Sequence, residues 1–277
     1  MPLLFALDLD GTLLNPAGEV EPEDAAAVAE ALDAGHRLII ATARPPRISR
    51  PIGDALGLAG PMVHYKGALL TGDGGVVLDR KPLDPDVAHA AAAAARARFP
   101  HVVVDVEVVD DAGRDCWHTD RTDARWPTRI SATAEPHVAV DEGDLYSLFS
   151  VTPTKLLLRI PPEEREALHG LVRDVVGTAA ATAVSDAHML QLMHPAASKA
   201  AGVADAAGRL GVPRADVVAV GDAPNDAPML AWAGVGVAVG HAWPEARDAA
   251  DVTAPDGAGV AWAIRHGMRE PRIWMRG

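Results

Sequence analysis

Apolar runs of four or five residues alternate along this chain with longer stretches in which apolar positions recur three and four apart. The short runs read as buried strands and the longer ones as amphipathic helices. Leu3-Leu4-Phe5-Ala6-Leu7 is the first strand, and Gly11 turns the chain sharply just beyond it. Pro22 to Ala34 reads as a helix with Gly35 as its C-cap. Arg37 to Ala41 is a second strand, Ile48 to Leu58 another helix, and Met62 to Tyr65 a third strand. Strands and helices in that alternation imply a parallel sheet with helices on both faces.

The rhythm then changes. Leu69 to Leu78 reads as a hairpin turning at Gly72-Asp73-Gly74-Gly75. An alanine-rich helix runs from Leu83-Asp84-Pro85 to about Phe99. A strand at His101 to Val109 comes next, and then an irregular stretch from Asp110 to Ala139. Lys155 to Ile160 is a strand, Pro162 to Val176 a helix, and Thr182 to Met193 a strand pair around Asp186. Alternation resumes with a helix at Lys199 to Leu210, a strand at Val217 to Val220 and a short helix at Ala227 to Ala233. Val235 to Val239 and Val252-Thr253 are strands, and Pro244 to Ala249 and Val260 to His266 are helices. The pattern predicts an α/β protein with a doubly wound, Rossmann-like parallel-sheet core. Residues 1–81 and 194–277 form that core, and residues 82–193 form an inserted α+β cap domain.

Composition narrows the partners. The net charge of −13 argues against nucleic acid or an anionic membrane surface. It remains compatible with an anionic substrate, because a local cation overrides the global sign. One cysteine, Cys116, forms no internal disulfide and suits a reducing compartment. Met1-Pro2 leads into a strand without a basic leader, and the alanine run Ala90 to Ala95 is too short to span a bilayer. The expectation is a soluble cytoplasmic protein; its oligomeric state is left open.

Ligands bind beyond the carboxyl ends of strands in such sheets. Polar groups stand at three of those ends: Asp8 and Asp10, Thr42, and Asp222 with Asn225 and Asp226. Read as an extended strand end, Asp8 and Asp10 face the same way and converge. Two adjacent carboxylates repel unless a cation separates them, and hard oxygen ligands suit Mg2+. An aspartate also serves as a nucleophile. The competing reading of Asp8-Leu9-Asp10-Gly11 is ordinary turn chemistry. Thr42 can hold a phosphate oxygen together with the Ala43 N–H, although a lone strand-end Thr is commonly structural. Lys199 opens a helix, where a cation opposes the macrodipole; neutralising a phosphate would explain it, and a solvated surface lysine is the plain alternative.

These residues resemble the haloacid dehalogenase superfamily of phosphatases, and within it the Cof-type branch with a large α/β cap. Four motifs in order carry the likeness: Asp8-Leu9-Asp10-Gly11-Thr12, Thr42, Lys199, and Gly221-Asp222 with Asn225-Asp226. The resemblance implies an Mg2+-dependent phosphatase acting on a small phosphorylated metabolite, a sugar phosphate by the branch's habit. It implies Asp8 as nucleophile, forming an aspartyl-phosphate, and Asp10 as general acid and base. Asp8, the Asp10 carbonyl and Asp222 would bind Mg2+, with Asp226 acting through water. The Leu9 N–H, Thr42, Ala43, Lys199 and Asn225 would hold the phosphoryl oxygens. A sugar phosphomutase and a non-catalytic phospho-ligand-binding protein remain as alternatives; the second is at odds with the presence of both Asp8 and Asp10.

Three positions depart from the branch's usual residues. Ala43 stands where Gly is frequent, Lys66-Gly67-Ala68 where Asn-Gly-Ala is common, and Gln191 where a Glu is common. Arg44 and Lys66, and Trp117 and His118 in the segment Cys116 to Arg121, are the candidates for substrate specificity. Trp117 as plain core is the alternative for that segment.

Overall fold

The computed structural model describes residues 2–110, 113–120, 138–140, 149 and 151–269. The chain divides into two compact units, residues 1–79 with 198–277, and residues 80–197.

The first unit is built on a five-stranded sheet of β1 (Leu4–Leu7), β2 (Arg37–Ile40), β12 (Val217–Gly221), β13 (Val235–Ala238) and β14 (Val252–Thr253), in the order β14-β13-β12-β1-β2. All its pairings are parallel. Leu4, Phe5, Ala6 and Leu7 are all buried, as is every residue of β12, so these central strands are covered on both faces. The crossovers are helical: α1 (Pro22–Asp33), α2 (Pro46–Ala55), α5 (Lys199–Leu210), α6 (Ala227–Trp232) and α7 (Pro244–Ala249), and α8 (Gly259–Arg269) follows the last strand. Pro22 sits where a helix lacks N–H partners anyway, and Ala27, Val28 and Ala31 form the stripe of α1 turned to the core. Asp24 of α1 accepts the Ala261 N–H at 2.7 Å, supplying the first turn of α8 with a cap from another helix.

The third expected strand, β3 (Met62–His64), joins this sheet only through a single parallel bridge between Ala41 and Val63. Its ladder runs antiparallel with β4 (Leu69–Thr71), and β5 (Val77–Arg80) lies beyond β4. The cause is local. The chain reverses at Tyr65-Lys66-Gly67, three successive residues with positive φ, and sends β4 back along β3 before β2 and β3 can extend their pairing.

The second unit holds a six-stranded sheet. Its strands are β6 (Val103–Val109), β7 (Asp115–Thr119), β8 (Val138–Val140), β9 (Lys155–Arg159), β10 (Ala181–Asp186) and β11 (Met189–Met193). They are ordered β10-β11-β9-β6-β7-β8. One face, with Val104, Val106, Leu156, Leu158, Leu190 and Leu192, packs on α3 (Pro85–Arg98) and α4 (Arg165–Val176). Asp84 caps α3 by accepting the Asp86 and Val87 N–H groups. The stretch expected to be irregular contains β7, which pairs antiparallel with β6 from Asp115 opposite Val109 to Thr119 opposite Asp105. Residues 111–112 and 121–137 of that stretch lie outside the described residues. Among the described residues, no helix is long and apolar enough to cross a membrane.

Candidate active site

Leu7 of β1 pairs with Val220 of β12 on one side and Ile40 of β2 on the other. The residues just beyond these strands therefore leave the sheet at one edge: Asp8, Asp222 and Thr42. Asp8 continues its strand, donating its N–H to Val220 O at 3.0 Å, and is 2 % exposed. The chain then turns, with the Thr12 and Leu14 N–H groups returning to Leu9 O. Gly11 makes this turn with φ near +81°, and a Cβ there would stand 2.5 Å from Asp222 Oδ2. Only glycine lets the two strand-end loops approach so closely.

Lys199 reaches the same place from the start of α5. Its Nζ donates to Asp8 Oδ1 at 2.5 Å and to Asp226 Oδ1 at 2.6 Å. The other oxygen of Asp226 accepts the Asp222 and Ala223 N–H groups, fixing the loop after β12. Thr12 Oγ1 donates to Asp222 Oδ1 at 2.9 Å. Asp8, Asp222 and Asp226 are buried, and one oxygen from each lies within 4.8 Å of the others.

The electrostatics of this cluster are unbalanced. Burial, with Asp226 and Asp222 nearby, pushes the Asp8 pKa well above the ordinary aspartate value against the pull of Lys199. Burial likewise raises Asp222. Burial alone would discharge Lys199, but Asp8 and Asp226 outweigh it and hold the ammonium above its usual range. One ammonium among three carboxylates leaves negative charge uncompensated in a dry site. Buried oxygen ligands with excess negative charge suit a hard divalent cation. Lys199 is no solvated surface lysine: it is 2 % exposed, and two carboxylates offset the unfavourable placement at a helix start.

The other expected residues fall into place unevenly. Thr42 is buried and donates its N–H to Val63 O at 2.9 Å, while its Oγ1 accepts the Arg44 N–H at 3.1 Å, with Ala43 between them. Asn225 keeps its Oδ1 buried without a hydrogen-bond partner. The Asp10 carboxylate lies outside the three-carboxylate cluster. It is bound by Arg44, whose Nε stands 2.9 Å from Oδ2 and whose Nη2 also contacts Oδ1, and its side chain is 54 % exposed. Asp10 lies in a turn rather than an extended strand, so the two-residue spacing does not bring both carboxylates together. Lys66 closes the turn after β3, with its N–H donating to Thr42 O at 2.9 Å.

In the second unit, Trp117 and His118 occupy consecutive positions of β7, opposite Glu107 and Val106 respectively. Strand alternation turns them to opposite faces of the sheet, so they cannot form one reading surface. Trp117 is 2 % exposed, on the face that also carries the Asp105–Arg159 and Glu107–Lys155 ion pairs. Gln191 is buried in β11 with no partner for its Oε1. Arg121 lies outside the described residues.

Sequence reasoning misses four contributors. Thr12, inside the first motif, orients Asp222. His241 donates its Nε2 proton to Gly11 O at 2.7 Å, and the Trp243 N–H donates to Asp222 O at 2.7 Å, so the loop before α7 buttresses both acidic turns. His64, in β3, bonds Ser49 and Thr71 through its two ring nitrogens. Nothing in the local sequence marks these partners, which are up to 230 residues apart.

A family model for haloacid dehalogenase-like hydrolases matches residues 5–264. The chain belongs to the haloacid dehalogenase-like hydrolase family. It falls in the Cof-type phosphatase branch of that superfamily, and the match takes in most of both units. It is 28 % identical over 244 residues to 5-amino-6-(5-phospho-D-ribitylamino)uracil phosphatase YitU of Bacillus subtilis, covering 87 % of each chain. It is 27 % identical over 245 residues to the HMP-PP phosphatase of Cronobacter sakazakii, covering 88 % of this chain and 86 % of that one. The crystal structure of a haloacid dehalogenase-like hydrolase from Bacteroides thetaiotaomicron shares the fold with a TM-score of 0.83 at 23 % identity, over 96 % of this chain and 99 % of that one. The expected α/β core with a separate α+β unit is therefore the fold of a known hydrolase family.

Proposed function

We propose that this hydrolase is an Mg2+-dependent phosphatase of a small phosphorylated metabolite, a sugar phosphate, acting through an aspartyl-phosphate. The observation that carries the reading is the buried meeting of Asp8, Asp222 and Asp226, with the Lys199 ammonium bonded to two of them. Asp8, the Asp10 carbonyl, Asp222 and Asp226 would hold the cation, which supplies charge neutralisation for the phosphoryl group when bound. In this reading an oxygen of Asp8 attacks phosphorus while Asp10 gives a proton to the departing sugar oxygen. Asp10 then takes a proton from water, which attacks the phosphorus of the acyl phosphate and frees inorganic phosphate and Asp8. The Leu9 N–H, Thr42, the Ala43 N–H, Lys199 and Asn225 hold the phosphoryl oxygens. Asn225 would do so through its Nδ2–H donors; its buried Oδ1, an acceptor without a partner in the fold, suits a water or the cation rather than a phosphoryl oxygen. Such chemistry rests on positioning and charge, which these groups provide. Residues 82–193 act as the specificity domain.

Phosphate release from a panel of sugar phosphates, with Mg2+ and with excess EDTA, tests the proposal. Release only with Mg2+ is expected, and equal release in EDTA overturns the metal's part. Asp10→Asn is expected to slow turnover by roughly a hundredfold or more, the value of a lost general acid.

A further inference from the structure

The Asp10 carboxylate stands half in solvent, its side chain 54 % exposed, outside the buried cluster of Asp8, Asp222 and Asp226. A side chain so exposed changes rotamer freely unless something holds it. A group that passes protons must be held within hydrogen-bond reach of the atom it serves. The backbone of the Asp10 turn is already fixed: the Thr12 and Leu14 N–H groups return to Leu9 O, and His241 bonds Gly11 O at 2.7 Å. The side-chain torsions of Asp10 remain, and the contact made by its carboxylate is with Arg44.

Arg44 Nε stands 2.9 Å from Asp10 Oδ2 and 3.1 Å from Oδ1, and Nη2 also bonds Oδ1. A guanidinium fork of this kind fixes the plane of a carboxylate as well as its distance. Arg44 is anchored in turn through its own backbone. Its N–H donates to Thr42 Oγ1 at 3.1 Å, and its carbonyl accepts the Tyr65 N–H at 3.2 Å. The acidic turn after β1 is thereby tied to the loop after β2 that is proposed to hold phosphate. Stability does not account for the pair: with Arg44 28 % and Asp10 54 % exposed, water screens the attraction and the pair contributes little. Nor does the fork block proton transfer, since a carboxylate offers about four lone-pair sites and three N–H contacts leave room for a proton.

We propose that Arg44 is a positioning residue: it aims the Asp10 carboxyl for proton transfer to the leaving oxygen, and it acts through Asp10 rather than by selecting the substrate. The proposal rests on the phosphatase reading and adds to it the group that orients its general acid. Arg44 differs in this from Lys199, which bonds Asp8 and Asp226 directly. Lysine is no substitute, because one ammonium meets a carboxylate as a point charge without the planar fork.

Steady-state kinetics on a panel of sugar phosphates and on para-nitrophenyl phosphate test it. The proteins are wild type, Arg44→Met, Arg44→Lys, Asp10→Asn, and the double variant of Arg44→Met with Asp10→Asn. A sugar oxygen needs a proton as it leaves, whereas nitrophenolate leaves without one at neutral pH. The ratio kcat/KM covers the steps up to that departure, so water attack on the acyl phosphate, common to both substrates, drops out. Arg44→Met and Arg44→Lys are expected to lower kcat/KM for a sugar phosphate at least about tenfold more than for para-nitrophenyl phosphate. In the Asp10→Asn background, Arg44→Met is expected to add less than about a twofold loss, because the group it aims is gone. Both substrates meet the same folded fraction, so a change in stability moves them together and does not imitate the selective loss. An equal loss on both substrates, a loss that persists in the Asp10→Asn background, or no loss overturns the proposal and leaves the phosphatase reading standing. A wild-type protein that releases phosphate from none of these substrates overturns both.

Discussion

Lys199 holds two carboxylates at once, and that makes it a structural residue as well as a proposed phosphate ligand. Removing it leaves Asp8, Asp222 and Asp226 buried together with no counter-charge from α5. Breaking a buried pair by deleting one partner costs about 3–5 kcal/mol, because the remaining charge stays desolvated. Lys199→Met is therefore expected to lower stability in denaturant titrations by that order. Mg2+ should restore more stability to the variant than it adds to wild type, since the cation replaces the missing positive charge. A variant as stable as wild type in the absence of metal would show that the carboxylates are solvated. The same residue shows how far the sequence can be read. Its place at a helix start marks it as a cation needing an anionic partner, but Asp8, 191 residues away, is found only in the folded chain.

Among the elements, α2, β3 and β4 are tied by one buried polar chain. Ser49 Oγ gives its only proton to Pro45 O at 2.9 Å, so it accepts from His64 Nδ1–H at 2.8 Å. His64 Nε2 then accepts from Thr71 Oγ1 at 2.8 Å, and the imidazole is neutral with its tautomer fixed. Burial, with Arg50 adding to it, pushes the His64 pKa down to about 3. The unfolded chain keeps an ordinary histidine near pH 6.5. Above that pH neither state is protonated and His64 adds no slope. As pH falls below it the unfolded state takes up a proton the native state refuses, and stability drops by about 1.4 kcal/mol per pH unit. His64→Gln is expected to be less stable than wild type at pH 7 but to lose about 2 kcal/mol less between pH 7 and pH 5. Parallel losses in both proteins would assign the acid sensitivity to another group. Elements divide cleanly in their legibility. Helix α5 and strand β14 begin and end where periodicity and caps put them, because Ser198, Gly211 and the apolar runs are local signals. The departure of β3 from the parallel sheet is not legible, since it comes from the left-handed turn at Tyr65 and Lys66, residues with no local preference for it. Strand β7 escapes sequence reading because its two apolar residues, Cys116 and Trp117, fall on opposite faces; its partner β6 defines it.

For the whole molecule, acidic turns from opposite ends of the sequence meet at one sheet edge. A cation bound there stabilises the native state by mass action, about 2.7 kcal/mol at a hundredfold excess over Kd. Fold and family are legible from motif order across most of the chain, whereas the substrate is not, since none of those motifs names it. All of the proposed chemistry turns on Asp8 as the nucleophile of a metal-dependent phosphatase. Phosphate release by wild type and Asp8→Asn, side by side in Mg2+ on a sugar phosphate that wild type hydrolyses, puts that assignment at risk. Steady release is expected from wild type and none from Asp8→Asn, with the variant still folded by circular dichroism. Release by folded Asp8→Asn at a rate near that of wild type would contradict it.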